Sequence, residues 1–273
     1  MAAGLLKVHL SADAYLACLT HVLSAEKEEV MGVLLGELQE EIKTVLVRGV
    51  SVMRRIDKRA DRVEISPEQL TAIVIDTERL SNKSGYPLRV VGWYHSHPHI
   101  TVFPSHIDIK TQANYQLMDD NFVGLIFSCF NEEPQDKKCK LQVIAFQSLQ
   151  TNPSPPEYER LELPLSIVQT PLSHISSLCM EALVQIPVVL FQEEEEAYTN
   201  TNPNENQDVV TQMYNSSVYT QSLTQMLDIL CGPLLGLFQE AVARNKQMTE
   251  ELTREKNQLL KDLVEQENND VII

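Results

Sequence analysis

Basic residues are in short supply in this sequence. Its 273 residues include 22 Lys and Arg against 38 Asp and Glu, which gives a formal net charge of −16 at pH 7. Binding to a phosphate backbone requires clustered Lys and Arg, so this balance argues against nucleic acid as a direct partner. The sign of the charge is compatible with a basic protein partner, but it determines neither the fold nor the reaction.

Paired cysteines and long apolar runs are also lacking. The five cysteines are scattered, odd in number and without a Cys-x-x-Cys pair, so we expect neither a disulfide framework nor a cysteine zinc cluster. Residues 1–10 contain one Lys and too short an apolar run for a signal peptide, and no stretch reaches the roughly 18 apolar residues that span a bilayer. We therefore expect a cytoplasmic and nuclear protein without a membrane segment.

The length of the chain indicates more than one structural region. A typical domain has about 100 to 200 residues, and the 43% hydrophobic content of this longer chain suffices for a sizeable core. Three prolines within residues 151–156 suggest a boundary, although residues 158–168 have a strand's composition and could return to the first sheet. We predict one domain over residues 1–170 and a helical region over residues 171–273.

Hydrophobic periodicity and capping signals divide the chain into helices and strands. Ser66, Pro67 and Gln69 form a capping-box pattern with proline at the first helical position, and Gly85 suits the left-handed position that closes the same helix. Period and composition predict the other elements. They give helices over residues 11–23, 67–85, 105–119, 173–191 and 209–230, strands over residues 30–38, 41–53, 88–94, 122–130 and 141–146, and an acidic, Asn-rich loop over residues 192–207.

The C-terminal region carries an amphipathic pattern from about residue 234 to residue 266. Apolar residues recur there at alternating steps of three and four, which is typical of a coiled-coil seam. The polar residues Asn245 and Glu255 fall on this seam, where a buried polar position can fix the choice of partner at a cost in stability. We favour a partner helix, and an ordinary amphipathic helix packed on its own domain is the alternative.

Two histidines and one aspartate have the spacing of a metal site. His95 and His97 end a predicted strand, and the two-residue period of a strand points both imidazoles to one face. Asp108 follows near the start of the next predicted helix, close enough in sequence to add a carboxylate. Two nitrogens and one oxygen match a catalytic zinc, which keeps a fourth position open for water.

Two further residues are candidates for catalysis. Glu29 precedes the predicted strand over residues 30–38, and as a general base it would take a proton from the attacking water and deliver it to the leaving amine. Ser105 would donate a hydrogen bond to the developing oxyanion. We therefore predict Glu29 and Ser105 as catalytic residues and one Zn²⁺ ion as the cofactor.

Each candidate also has a structural interpretation. Ser105 and Asp108 form the Ser-x-x-Asp pattern of a helix capping box, a role that is compatible with catalysis. Glu29 lies in a charged run, for which a solvated helix end is the default interpretation. His99 continues the alternation of histidines, but Pro98 disturbs the strand and a fourth protein ligand would fill the open position.

The assembled residues resemble the signature of the JAMM (MPN+) metalloproteases. That signature has an upstream glutamate, a His-x-His-Pro motif and a Ser-x-x-Asp motif, with seven residues between the second histidine and the serine. The matching residues here are Glu29, His95-Ser96-His97-Pro98 and Ser105-His106-Ile107-Asp108. The adjoining Glu29-Val30-Met31-Gly32, Gly92-Trp93-Tyr94 and Thr111-Gln112 are also similar to that family. The resemblance covers roughly residues 8–150, and no position of the core motif is missing.

The resemblance implies both a fold and an activity. The fold would be the α/β MPN fold, a curved mixed β-sheet flanked by helices, followed here by a helical or coiled-coil region. The activity would be zinc-dependent hydrolysis of lysine-63-linked polyubiquitin, within a complex that contains a catalytically inactive MPN-domain partner. One alternative is a non-catalytic MPN scaffold subunit. Another is a non-haem iron oxygenase, whose facial triad also has two histidines and a carboxylate.

Overall fold

The computed structural model describes residues 7–55, 67–132, 139–153, 156–169, 176–201 and 208–270. The chain forms two units, Met1–Met226 and Leu227–Ile273. The first unit therefore includes most of the region that we predicted to be a separate helical part. Our assignment of a catalytic domain to residues 1–170 and an assembly region to residues 171–273 stays a prediction.

The described residues contain eight strands and six α-helices. The strands are β1 (Lys7–Ser11), β2 (Met31–Gln39), β3 (Thr44–Val52), β4 (Arg89–Pro98), β5 (Val123–Glu132), β6 (Cys139–Pro153), β7 (Pro156–Leu163) and β8 (Leu165–Val168). The α-helices are α1 (Ala12–Leu23), α2 (Pro67–Ser84), α3 (His106–Gln116), α4 (Ser177–Thr201), α5 (Val209–Met226) and α6 (Gly232–Asp270). A 3₁₀ turn (Glu40–Ile42) precedes β3, and a π-helical turn (Leu227–Cys231) precedes α6.

All eight strands join one mixed sheet in the order β7-β6-β5-β4-β2-β3-β1-β8. Strand β4 lies inside the sheet, antiparallel to β2 and parallel to β5. Register shifts occur between Leu34 and Leu35 and between Leu35 and Gly36, and such bulges bend a sheet. The predicted mixed sheet flanked by helices is confirmed, as is the return of residues 158–168 to the first sheet.

Local signals in the sequence explain where several helices begin and end. The Ser11 hydroxyl accepts a hydrogen bond from the Ala14 N–H at 3.2 Å and so caps α1. Helix α2 begins at Pro67 and is followed by Gly85, whose φ of +73° is the left-handed conformation that we predicted. Ser66, the predicted cap of that helix, lies outside the described residues.

One hydrophobic core packs against the inner strands and fixes β4. Its buried members are Met31, Val33, Leu35, Met53, Ile73, Leu80, Trp93, Val102, Tyr115, Phe122, Ile126, Phe146 and Leu178. Burial of one large apolar side chain contributes about 1.5 to 3 kcal/mol, so this set is a major source of stability. Close packing also requires glycine at position 32, where a Cβ atom would lie 2.5 Å from the Tyr94 ring.

Helix α4 overturns one prediction. We predicted a loop over residues 192–207, but the helix continues through Thr201, and residues 202–207 lie outside the described part of the chain. Glutamate has a high helix propensity, so the acidic composition of residues 193–196 is compatible with a helix. Contacts across the fold reinforce it, because Glu193 binds Arg55 and Glu196 binds Arg54.

Helices α5 and α6 expose much apolar surface. An 18-residue window within Val209–Val264 has a mean hydropathy of 1.4 and only 11% of it is buried, so by length and composition this segment is long and apolar enough to cross a membrane. We expected no stretch of the roughly 18 apolar residues that span a bilayer, and polar residues such as Gln221, Gln225 and Asp228 do interrupt the apolar residues of this segment. One helix of this kind is weak evidence for a membrane protein.

Candidate metal centre

Strand β4 places two histidines side by side. His95 and His97 are both buried, and because alternate residues of a strand face the same way, their Nε2 atoms lie 3.0 Å apart. The register pairs His95 with Met31 of β2 and Ile126 of β5, so hydrogen-bonded strands hold the segment on both sides. The Nδ1 atom of His97 is 2.7 Å from the carbonyl oxygen of Thr101, a contact that orients the ring.

The first turn of α3 places the Asp108 carboxylate beside the two histidines. Asp108 Oδ1 lies 3.4 Å from His95 Nε2, and Asp108 Oδ2 lies 3.5 Å from His97 Nε2. A capping box fixes this position, because Ser105 N–H donates to Asp108 Oδ2 at 2.6 Å and Asp108 N–H donates to Ser105 Oγ at 3.2 Å. The structural interpretation of these two residues is therefore correct, and it also explains how Asp108 is aimed at the histidines.

Burial and mutual contact set the charges of the three residues. Burial lowers the pKa of His95 below its ordinary value, although Asp108 acts in the opposite direction. Burial also acts to lower the pKa of His97, but hydrogen bonds to Asp108 and Thr101 raise it overall. For Asp108, burial acts to raise the pKa, whereas hydrogen bonds from both histidines hold it well below its usual range. Asp108 is consequently ionised at neutral pH.

The three side chains fit a zinc ion. One ligand atom from each of His95, His97 and Asp108 lies within 4.8 Å of the others, the arrangement of two imidazole nitrogens and one carboxylate oxygen that catalytic zinc uses. Metal ligands must be deprotonated, and the ionised Asp108 and the lowered pKa of His95 meet that requirement. The pKa of His97 is raised in the absence of a metal, so binding of zinc would displace its proton. The Nδ1 atom of His95 is buried and has no hydrogen-bond partner among the described residues.

Glu29 lies beside this group. It is 9% exposed, so the solvated helix end that is the default for a charged run is not what the structure shows. Its carboxylate is close enough to act electrostatically on His97, whose pKa it raises. Two hydrogen bonds with Ser96 position the next residue, Val30. The Val30 N–H donates to Ser96 Oγ at 2.9 Å, and the Ser96 N–H donates to the Val30 carbonyl at 2.9 Å.

Comparison with known proteins identifies the family. The model described as JAB1/Mov34/MPN/PAD-1 ubiquitin protease matches residues 3–121, and the model described as BRCC36 C-terminal helical domain matches residues 179–259. A Xenopus laevis protein named Lys-63-specific deubiquitinase BRCC36 is 48% identical over 256 residues, which cover 94% of this chain and 97% of that protein. The chain belongs to the BRCC36 group of the JAB1/Mov34/MPN/PAD-1 family.

Mammalian members of the BRCC36 group are also similar to most of this chain, at 41% to 44% identity. The Mus musculus protein named Lys-63-specific deubiquitinase BRCC36-like is 44% identical over 286 residues, covering 96% of this chain and 97% of that one. The Homo sapiens protein named Lys-63-specific deubiquitinase BRCC36 is 41% identical over 287 residues, covering 88% and 90%. The predicted JAMM (MPN+) family and the MPN fold are therefore confirmed.

The structure separates His99 from the other histidines of this BRCC36-group site. His99 has a φ of +60°, its side chain is 54% exposed, and its Nε2 lies 3.6 Å from Glu26 Oε1. The backbone turns after Pro98, so the imidazole no longer follows the alternation of β4. His99 is accordingly not part of the group that could hold a metal.

Two residues that support the site had no assigned role in the sequence analysis. The Trp93 ring stacks on the His95 ring, with centroids 4.6 Å apart and an interplanar angle of 14°. Trp93 Nε1–H donates to Gln112 Oε1 at 2.8 Å, and the Gln112 amide donates to the Phe122 carbonyl at 2.7 Å. This chain of contacts fixes the His95 ring from the side of α3. Trp93 and Gln112 both lie in segments that resemble the family. That resemblance was the signal by which the sequence could have indicated their importance.

Proposed function

We propose that the protein is a zinc-dependent isopeptidase that hydrolyses lysine-63-linked polyubiquitin. The observation that carries this proposal is the convergence of His95, His97 and Asp108 on one point, beside the buried Glu29. The relatives named Lys-63-specific deubiquitinase support the substrate class, because 94% of this chain aligns with 97% of one of them at 48% identity. His95, His97 and Asp108 would hold the zinc ion.

The proposed reaction needs a base beside the attacking water. Bound zinc supplies Lewis acidity, which polarises the scissile carbonyl and lowers the pKa of water. Glu29 would take the proton from the attacking water and then deliver it to the departing lysine amine, so that one residue acts first as base and then as acid. The burial of Glu29 and its electrostatic effect on His97 support this role.

Ser105 would stabilise the oxyanion that forms on the attacked carbonyl. Its Oγ accepts the Asp108 N–H, and accepting a hydrogen bond leaves the hydroxyl proton available for donation. The same side chain can therefore cap α3 and donate to the oxyanion. Removal of one such donor in other hydrolases costs about 10²- to 10³-fold in kcat, which is the loss we expect for Ser105→Ala.

The first experiment compares two linkages. Lysine-63-linked and lysine-48-linked diubiquitin are incubated with the chain, co-expressed with an inactive MPN-domain partner, with and without a zinc chelator. We expect selective cleavage of the lysine-63 linkage that the chelator abolishes. If a zinc-loaded complex leaves both substrates intact, the enzymatic proposal fails and the non-catalytic scaffold becomes the better explanation.

Two variants test the proposed roles of Glu29 and His97. Glu29→Gln should lower kcat by about 10²- to 10⁴-fold while zinc is retained, since it removes the base but no ligand. His97→Ala should lose both zinc and cleavage. His99→Ala is the matched control, because it removes an exposed histidine two positions away and should leave zinc content and activity unchanged. Full activity of either Glu29→Gln or His97→Ala would refute the assignment.

We also propose that an inactive MPN-domain partner binds the C-terminal helices. Exposed apolar side chains on α6 support this idea, among them Leu252, Leu259, Leu260 and Leu263, each at least half exposed. Leucines that face solvent at helical spacing are what a partner helix would cover. Light scattering of the chain alone and after co-expression measures the assembly, and replacement of these leucines by lysine should release the partner.

The proposed location is the cytoplasm and the nucleus. Cys18, Cys129, Cys179 and Cys231 are free thiols, which is compatible with a reducing compartment. Microscopy of a fluorescent fusion tests the location, and accumulation in the secretory pathway would contradict it.

A further inference from the structure

A buried ion pair contacts the segment that carries the candidate base, Glu29. Arg55, just after β3, and Glu193, on α4, have side chains that are 6% and 3% exposed. Two guanidinium nitrogens of Arg55, Nε and Nη2, donate to Glu193 Oε2 at 2.9 Å and 2.5 Å. Arg55 N–H also donates to Glu193 Oε1 at 2.7 Å, so one carboxylate fixes both the backbone and the side chain of Arg55.

The third guanidinium nitrogen of Arg55 points the other way, towards the segment that carries the base. Arg55 Nη1 donates to Glu28 Oε2 at 2.6 Å and to the backbone carbonyl of Glu29 at 3.4 Å. A guanidinium is planar and rigid, so Glu193 determines the direction of Nη1 by holding Nε and Nη2. The contacts therefore run without a gap from α4 through Arg55 to the side chain of Glu28 and the backbone of Glu29.

We propose that Arg55 and Glu193 are positioning residues that place the carboxylate of Glu29, so that helix α4 controls the catalytic base. The inference rests on the proposed function, because placement matters only if Glu29 takes the proton. Glu193 lies within the segment that matches the BRCC36 C-terminal helical domain, whereas Glu29 and Arg55 lie within the ubiquitin protease match. The pair thus links the two family modules at the active site.

Energetics favour an orienting role over a purely stabilising one. Burying two charges costs several kcal/mol per ion before their attraction is gained, so a buried ion pair is a weak source of net stability. The Arg55–Glu193 pair also donates a hydrogen bond to the backbone carbonyl of Glu29. Apolar side chains could not make this bond and so could not orient that backbone. Displacement of a reacting group by about 1 Å can cost about 10²-fold in rate, which sets the scale of the effect.

The chain offers a matched control on the same two elements. Arg54 Nη1 donates to Glu196 Oε1 at 2.5 Å, one residue before Arg55 and one helical turn after Glu193. Those two side chains are 44% and 52% exposed, so their pair lies at the surface. Surface pairs contribute little, and Glu196→Gln should therefore change neither activity nor stability measurably.

The experiment uses the full chain, purified from co-expression as above. Glu193→Gln, Arg55→Lys and the control Glu196→Gln are compared in steady-state cleavage of lysine-63-linked diubiquitin, in zinc content and in amide hydrogen exchange of residues 24–31. For Glu193→Gln and Arg55→Lys we expect kcat to fall about 10- to 100-fold, with KM and zinc content unchanged and with faster exchange in residues 24–31. The control should match the unsubstituted chain.

Each outcome decides the proposal. If kcat and exchange are unchanged in both variants while only the unfolding temperature drops, the pair is structural and the inference is wrong. If Glu193→Gln does not fold, Arg55→Lys decides on the same readouts, because it keeps a buried positive charge against Glu193. If the unsubstituted, zinc-loaded chain itself cleaves nothing, the proposed function fails, whereas the exchange of residues 24–31 still shows whether the pair positions that segment.

Discussion

Substitution of Ser96 by alanine should weaken the hold of β4 on the segment that carries the base. Ser96 is fully buried, and its hydroxyl accepts the Val30 N–H at 2.9 Å. Serine and alanine differ by one oxygen, so the change opens almost no cavity. It does leave a buried backbone N–H of the residue next to Glu29 without its acceptor.

The expected cost follows from that single unsatisfied donor. A buried polar group without a partner destabilises the fold by about 1 to 3 kcal/mol. For a unit of this size, each kcal/mol lowers the unfolding temperature by about 2 to 4 °C, so Ser96→Ala should unfold about 2 to 12 °C earlier. Cleavage should weaken too, because Val30 is then free to shift and Glu29 with it.

Thermal unfolding followed by circular dichroism measures this effect. The scan is made with chelator and again with zinc, since a bound metal raises the unfolding temperature of any folded variant. Ser217→Ala is the control, because the Ser217 hydroxyl donates to the Met213 carbonyl on the exposed surface of α5. If Ser96→Ala is as stable and as active as that control, the contact does not hold the segment and the reasoning is refuted.

Three further predictions follow from buried groups. Asp108→Asn keeps the size of the side chain but removes the ligand charge, so metal analysis should find the zinc lost, and retained zinc would contradict the site. Burial and the charge of Arg55 lower the pKa of His21 from 6.5 to about 3. The unfolded chain binds a proton there as the pH falls below 6.5 while the folded chain does not, so this group removes about 2 kcal/mol of stability by about pH 5. Denaturant unfolding at neutral pH and at about pH 5 should show a smaller loss of stability on acidification for His21→Gln than for the unsubstituted chain. An equal loss in the two proteins would contradict the lowered pKa of His21. Leu183→Ala, at a fully buried position of α4, should cost about 2 to 5 kcal/mol, and a loss below about 1 kcal/mol would show that α4 packs loosely.

The sequence contained enough to place the metal group, because its spacing signals are local. His95 and His97 are neighbours on one strand face, and the Ser105–Asp108 capping box is set within one helical turn. Both arrangements follow from backbone geometry without knowledge of the rest of the fold. The roles of Glu29 and Ser105 in catalysis stay predictions.

The contacts around Glu29 depended on residues far apart in the chain. Arg55 and Glu193 are 138 positions apart, and no periodicity relates them. The acidic run that contains Glu193 was interpreted as a loop because its composition is polar, whereas it is part of α4 and its first residue, Glu193, is buried against Arg55. Ser96 was passed over for a similar reason: its partner, Val30, lies 66 positions earlier in the chain, just before β2.

The two outer strands of the sheet bear on how the protein behaves at high concentration. An open sheet ends in unpaired N–H and C=O groups, which can recruit strands of other molecules. Here β8 has only four residues, while β7 begins with Pro156 and carries Glu157, Glu159, Arg160 and Glu162. Short length, proline and closely spaced charges all oppose the stacking of sheets into fibrils. Aggregation through strand pairing is therefore disfavoured at both edges of the molecule.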